Sequence, residues 1–182
     1  MQTQWSRQQY LKGVKYPKTS KHILRIHRKK QNVIYDYLHK ITRYVADYCN
    51  ENGIHTVVIG DITNIRKDTN FGAKTNQKLH ALPYKKIYDL LKYKLQLAGI
   101  RLVKQKERYS SQTSPLCEVV NQQNARKSNR VQRGLYQDGS CYWNADCVGA
   151  FNILRLYFQK EKRNEKPDAE KMQNPIIKKV AV

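Results

Sequence analysis

The chain has 182 residues, enough for one domain of ordinary size, and sets 35 Lys and Arg against 14 Asp and Glu, a formal net charge of +21. A folded domain so unbalanced repels itself unless an anion neutralises it, and DNA and RNA present phosphates at high density. The sequence has no long apolar run, no amphipathic lipid-facing stretch, no lipidation motif and no apolar core of a secretory signal after Met1, so a membrane partner is excluded and a cytoplasmic location expected.

Residues 1–21 are basic and punctuated by Gly13 and Pro17, and read as irregular. Ser20 is placed to cap a long amphipathic helix from Lys21 to about Asn50. Its apolar stripe is Ile23, Ile26, Ile34, Leu38, Ile41, Val45 and Tyr48, and the other face carries Arg25, Arg28, Lys29, Lys30, Lys40 and Arg43, which mark a phosphate-facing surface. Asn52 and Gly53 end it. The β-branched run 55–60 reads as a strand buried on both faces, with Asp61 at its C-terminal end, where sites gather in open α/β sheets. The polar stretch 63–78 reads as a loop carrying Arg66, Lys67, Lys74 and Lys78. A second amphipathic helix, from Leu82 to about Ala98, has Pro83 near its start and Gly99 at its end. The next strand, 100–105, leads to Glu107, and strand–helix–strand at this spacing is a parallel βαβ unit. Residues 110–139 are rich in turn formers and carry Arg126, Lys127, Arg130 and Arg133. A compact apolar helix follows, from Cys147 to about Phe158, capped by Asn144 or Asp146, and a tail of alternating Lys and Glu closes the chain.

With so few acids, those at strand ends and helix starts stand out: Asp61, Glu107 and Asp146. Two-metal phosphodiester hydrolysis needs several carboxylates converging around ions about 3.5–4 Å apart, and hard oxygen ligands suit Mg²⁺ or Mn²⁺. All three acids are expected along one edge of a parallel sheet. The 13 tyrosines suit a half-wet surface and stacking on unpaired bases. The four cysteines, Cys49, Cys117, Cys141 and Cys147, include no CxxC pair, which speaks for a reducing compartment and against a disulfide framework.

Several motifs in order, VVIGDI at 57–62, NQKLH at 76–80, Tyr93-Lys94 with Gly99-Ile100, YSSQT at 109–113, RGLY at 133–136, NAD at 144–146 and GAFNI at 149–153, resemble the C-terminal half of TnpB-type, transposon-encoded RNA-guided nucleases. The resemblance covers about residues 15–157. It implies an α/β, partial RuvC-like (RNase H-type) fold of parallel strands and long helices, metal-dependent cleavage of DNA, and DNA and guide RNA as partners, with base pairing carrying the sequence specificity. The implied organisation is a RuvC-like segment at 1–109, a degenerate zinc-ribbon-like insertion at 110–143, a terminal RuvC-like helix at 144–158 and a flexible tail at 159–182.

The departures from the family pattern shape the functional expectation. The family's first catalytic Asp precedes the long helix, so that acid and the first strands of the sheet are expected to be missing, unless another polypeptide supplies them. The second acid, a Glu, falls where this chain has Gly60. Glu107 is the expected substitute, ahead of Asp61, and Asp146 matches the third acid directly. In the zinc-ribbon region Ser114 replaces the first Cys, Cys117 matches the second, and Cys141 lies in a shortened turn, so zinc is not expected. The resulting expectation is a nucleic-acid-binding relative of a transposase-family endonuclease that uses Mg²⁺ or Mn²⁺ if it is active and is inactive alone. The alternative is a purely non-catalytic binder of the repressor, ribosomal or nucleoid kind.

Overall fold

The computed structural model describes residues 2–14, 19–62, 83–163, 165 and 167. In sequence order they form α1 (Gln2–Leu11), α2 (Lys21–Glu51), β1 (Thr56–Gly60), α3 (Tyr84–Leu97), β2 (Arg101–Gln105), a 3-10 turn (Lys127–Asn129), β3 (Leu135–Asp138), β4 (Cys141–Asn144) and α4 (Ala145–Lys160). The helix α1 corrects the expectation of an irregular start. Its sequence, QTQWSRQQYL, contains no Gly or Pro and is dominated by residues that tolerate a helix, yet it has no apolar stripe to announce one. The turn that follows it carries Gly13, whose φ of +77° a side-chain-bearing residue would resist.

The caps of α2 are those its sequence dictates. The Ile23 amide donates to Ser20 Oγ at 3.2 Å, and Gly53 takes φ +62° just past the C-terminal end. The buried seam differs from the expected stripe: Ile23, Leu38, Thr42, Ala46 and Cys49 are buried, whereas Ile26 and Tyr48 are exposed. Small side chains at 42, 46 and 49 let α3 come close. Ala46 and Cys49 pack with Leu91, Leu95 and Ile100, and Val57 and Leu102 of the strands lean on the same cluster. One polar contact joins the helices: Lys94 Nζ donates to His39 O at 2.6 Å and to Thr42 Oγ1 at 3.0 Å. Burial and the nearby Arg43 hold this amine below the ordinary lysine range.

β1 and β2 are parallel, from Thr56 opposite Arg101 to Gly60 opposite Gln105, as the βαβ spacing requires. α4 packs against both strands. Every residue of β1 is half-buried, which corrects the expectation of a strand buried on both faces. Among the described residues β1 has one partner strand, β2.

After Gln105 the chain builds differently. β3 and β4 form an antiparallel hairpin whose two-residue turn places Gly139 at φ +58°. Tyr136, Trp143, Ala145 and Val148 bury one face, with Cys141, Cys147 and Phe151 beside them. Asn144 caps α4 through its Oδ1, which accepts from the amides of Asp146 at 2.9 Å and Cys147 at 3.1 Å. The tail expected from 159 onwards enters α4 as far as Lys160, and its remainder lies largely outside the described residues.

Candidate functional site

The C-terminal edge of the β1–β2 pair carries two of the three acids. The Asp61 amide donates to Gln105 O at 2.7 Å, extending the ladder one residue past β1. Glu107 lies two residues beyond β2 and folds back over the neighbouring strand. A β-carbon placed on Gly60 would lie 1.6 Å from Glu107 Oε1 and 2.4 Å from its Cδ. The carboxyl group of Glu107 therefore occupies the space a side chain at position 60 would fill. Desolvation there, and secondarily the charge of Asp61, push its pKa above the ordinary glutamate range. The third acid is placed otherwise. Asp146 opens α4 with its side chain 87% exposed, and its Oδ1 pairs with Arg130 Nη2 at 3.5 Å. Among the described residues no three His, Cys, Asp or Glu side chains are grouped so as to hold a metal ion.

The basic candidates fall into two described sets. Arg25, Arg28, Lys29 and Lys30 are all exposed on the N-terminal half of α2, and no Asp or Glu occurs from Lys21 to Tyr35. The acids further along are engaged locally: Asp36 pairs with Lys40 at 2.7 Å and Asp47 with Arg43 at 2.9 Å. The second set, Arg126, Lys127, Arg130 and Arg133, is exposed around the 3-10 turn that precedes the hairpin. Arg66, Lys67, Lys74 and Lys78, with the NQKLH motif, lie outside the described residues.

Comparison with known proteins places this geometry. Residues 2–66 match the family described as "Probable transposase" (OrfB_IS605), and residues 84–153 match "Cas12f1-like, TNB domain". The chain is related to the TnpB-type and Cas12f1-like proteins. A curated relative, the CRISPR-associated endodeoxyribonuclease Cas12f1 of Sulfoacidibacillus thermotolerans, is 28% identical over 117 residues, spanning 63% of this chain and 25% of that protein. Two solved structures share the fold. The Cas12f1–sgRNA–target DNA complex aligns with a TM-score of 0.56 at 18% identity, over 85% of this chain and 40% of the other. A CRISPR–Cas12f ternary complex aligns with a TM-score of 0.55 at 19% identity, over 84% and 31%. The likeness shows a partial RuvC-like α/β fold. The chain spans a quarter of the length of the curated relative.

A two-ion centre requires several converging carboxylates. Glu107 and Asp61 are neighbours at one edge, Asp146 is exposed and ion-paired with Arg130, and among the described residues no three such side chains are grouped to hold an ion. Tetrahedral zinc needs four ligands. Cys117 is half-buried with its carbonyl bonded to Arg155, and Cys141 pairs with Asp138 at the hairpin turn, beside the Tyr136–Trp143 cluster. Ser114, at the first ligand position, is buried and uses its Oγ to accept from the Leu116 amide at 3.2 Å. This donor set does not fit zinc.

Two residues with a clear role were not among the expected site residues. Asn152 has no solvent exposure (0%), and its Nδ2 donates to Ser110 O at 2.8 Å and Thr113 O at 2.7 Å. Arg155, one helical turn on, is also buried and bonds the carbonyls of Ser114 and Cys117. The signal was present in α4: an Asn and an Arg three apart inside the apolar run CVGAFNILRLYF.

Proposed function

We propose that this chain binds nucleic-acid backbones, DNA and guide RNA, beside a RuvC-like sheet edge, as a cytoplasmic member of a transposase-related, RNA-guided nuclease system. The observation that carries the reading is the basic face of α2. Helix dipoles favour anions at the N-terminal end and disfavour cations there. Lys21, Arg25, Arg28, Lys29 and Lys30 nevertheless crowd that half of the helix, exposed and with no acid among them. Such an arrangement costs stability in the free protein and is relieved by a polyanion. The basic residues of 126–133 offer a second backbone contact from the other part of the molecule. Tyr35 and Tyr37, both exposed on α2, add aromatic surface for unpaired bases.

The same reading gives Glu107 the part of the family's second acid. Gly60 cannot bear a carboxylate, and the Glu107 carboxyl fills the place where one would stand. Together with Asp61 it supplies two carboxylates toward a divalent cation such as Mg²⁺ or Mn²⁺. Cleavage then needs a further acid, from another polypeptide or from residues beyond those described, and the chain alone binds without cutting efficiently.

The test has two arms. Binding to single- and double-stranded DNA and to RNA is measured between 50 and 200 mM salt, and the affinity is expected to fall by about 10³-fold or more. Reversal of Arg25, Arg28, Lys29 and Lys30 to Glu should flatten that dependence by about three to four units of the logarithmic slope. Affinity indifferent to salt would overturn the binding reading. In the second arm, a supercoiled plasmid is incubated with the chain and Mg²⁺ or Mn²⁺. Efficient nicking that Asp146→Ala abolishes would show that the chain is a complete nuclease.

A further inference from the structure

The turn that carries Glu107 back over Gly60 is conformationally strained, and the strain has a visible counterweight. Tyr109 takes φ +63°, a left-handed conformation that side-chain-bearing residues rarely adopt. It sits between Glu107 and a tight coil. The Ser110 amide and Oγ both donate to Glu107 O, at 3.1 and 2.9 Å, and the Thr113 amide and Oγ1 donate to Tyr109 O, each at 3.1 Å. Ser110 and Thr113 are buried, so their own carbonyls need partners, and Asn152 Nδ2 supplies both. Arg155 Nη1 donates to Asn152 Oδ1 at 2.9 Å, fixing the amide's orientation, and to Ser114 O at 3.3 Å, while Nη2 reaches Cys117 O. Two side chains of one helix thus bond four carbonyls across an eight-residue segment, 110–117.

We propose that Asn152 and Arg155 are positioning residues: a metal-free clamp on α4 that holds the strained turn at Tyr109 and so keeps Glu107 seated over Gly60. This deepens the role given to Glu107 above and rests on that reading for its functional meaning, though not for its physics. The clamp grips the stretch in which the zinc-ribbon pattern would place its first ligand pair, Ser114 and Cys117, and it does so through backbone carbonyls, which need no thiolate and no ion.

The experiment is amide hydrogen exchange on the full chain, without metal or nucleic acid. Asn152→Ala is expected to speed exchange at Ser110, Gln112 and Thr113 by about tenfold or more, the scale of one lost buried bond, while Val58 and Leu95 exchange as before. A purely structural role for Asn152 would loosen every region alike. The strain argument adds a rescue: Tyr109→Gly, which removes the left-handed penalty, should restore much of the lost protection in the Asn152→Ala background. If Asn152→Ala does not fold, Arg155→Lys replaces it, keeping the charge while losing the fork, and is read at Cys117 and Thr113. Added zinc should change none of these rates. Uniform loss of protection, failure of Tyr109→Gly to rescue, or restoration by zinc would overturn the proposal. Because no cation or DNA is present, the clamp can stand even if Glu107 proves to have no part in cleavage, and the reverse also holds.

Discussion

The two halves of this molecule are held together by different means. From Lys21 to Gln105 the structure closes on aliphatic side chains: Leu91, Leu95 and Ile100 against Ala46 and Cys49, with the strands alongside. From Ser110 to Tyr157 an aromatic hairpin cluster shares the interior with a polar one, in which Ser110, Thr113, Ser114, Asn152 and Arg155 are all buried and joined by hydrogen bonds. Apolar burial is non-directional and tolerates small displacements, whereas a buried polar network is favourable only when every member is satisfied. The first half therefore behaves as a scaffold and the second as a positioning device, and the sheet edge with Asp61 and Glu107 lies at their junction.

The comparison breaks most visibly in the scaffold. Leu95 has no exposure and sits in the middle of the α2–α3 seam. Leu95→Ala should cost about 3–5 kcal/mol through lost transfer energy and a residual cavity, seen as a lower denaturant midpoint with loss of structure throughout. In the other half, Asn152→Ala leaves two buried carbonyls and the Arg155 fork short of partners. The expected cost is about 2–3 kcal/mol, and it should appear first as local opening of 107–117. If the two substitutions gave indistinguishable exchange patterns, the division into scaffold and positioning device would be wrong.

The division also explains what was legible in the sequence. Aliphatic period gave α2, α3 and their parallel strands, the residues Ser20, Gly53 and Gly99 marked the helix ends correctly, and of the two caps expected for α4, Asn144 or Asp146, Asn144 is the one used. The seam of α2 was misplaced by about one position because pattern reading favours large aliphatics, while close helix packing selected Thr42, Ala46 and Cys49. The helix α1 escaped notice because it has no stripe. In the second half the contacts run from side chains to carbonyls about 40 positions away, as from Asn152 to Ser110 and Thr113, and no local period encodes them. The family pattern pointed to Glu107 as the substitute for an acid at Gly60, yet that its carboxyl group lies in the space above Gly60 follows only from how the turn folds back.

Gly60 provides a sharper cut at the junction. Gly60→Ala places a methyl group against the end of a flexible side chain, so Glu107 can swing aside, and the stability change should stay within about 1 kcal/mol. The position of the carboxyl group should nevertheless change. A double-mutant cycle with Glu107→Ala is expected to show coupling, since in that background the clash is gone and Gly60→Ala becomes nearly neutral. Strict additivity would mean that Glu107 does not occupy the Gly60 position in solution.

The smallest effect concerns pH. Partial desolvation of the carboxyl group against the sheet edge, and secondarily the Asp61 charge, raise the pKa of Glu107, so between the ordinary glutamate value and the raised one the folded chain binds more protons at this site than the unfolded chain. Stability from this group is therefore complete at low pH and declines as pH rises through that window, opposite in sign to a salt-bridged carboxylate. Glu107 is well exposed, which keeps the effect small. Glu107→Gln should flatten that decline and leave the chain slightly more stable at neutral pH, and Asp61→Asn should do part of the same by removing the neighbouring charge. The measurement is the denaturant midpoint from pH 4 to 7 for the wild type and both variants. A wild-type midpoint that rises across this range, with the rise lost in Glu107→Gln, would mean the carboxylate is stabilised at the edge by a cationic partner, and the picture of two mutually repelling acids would have to be abandoned.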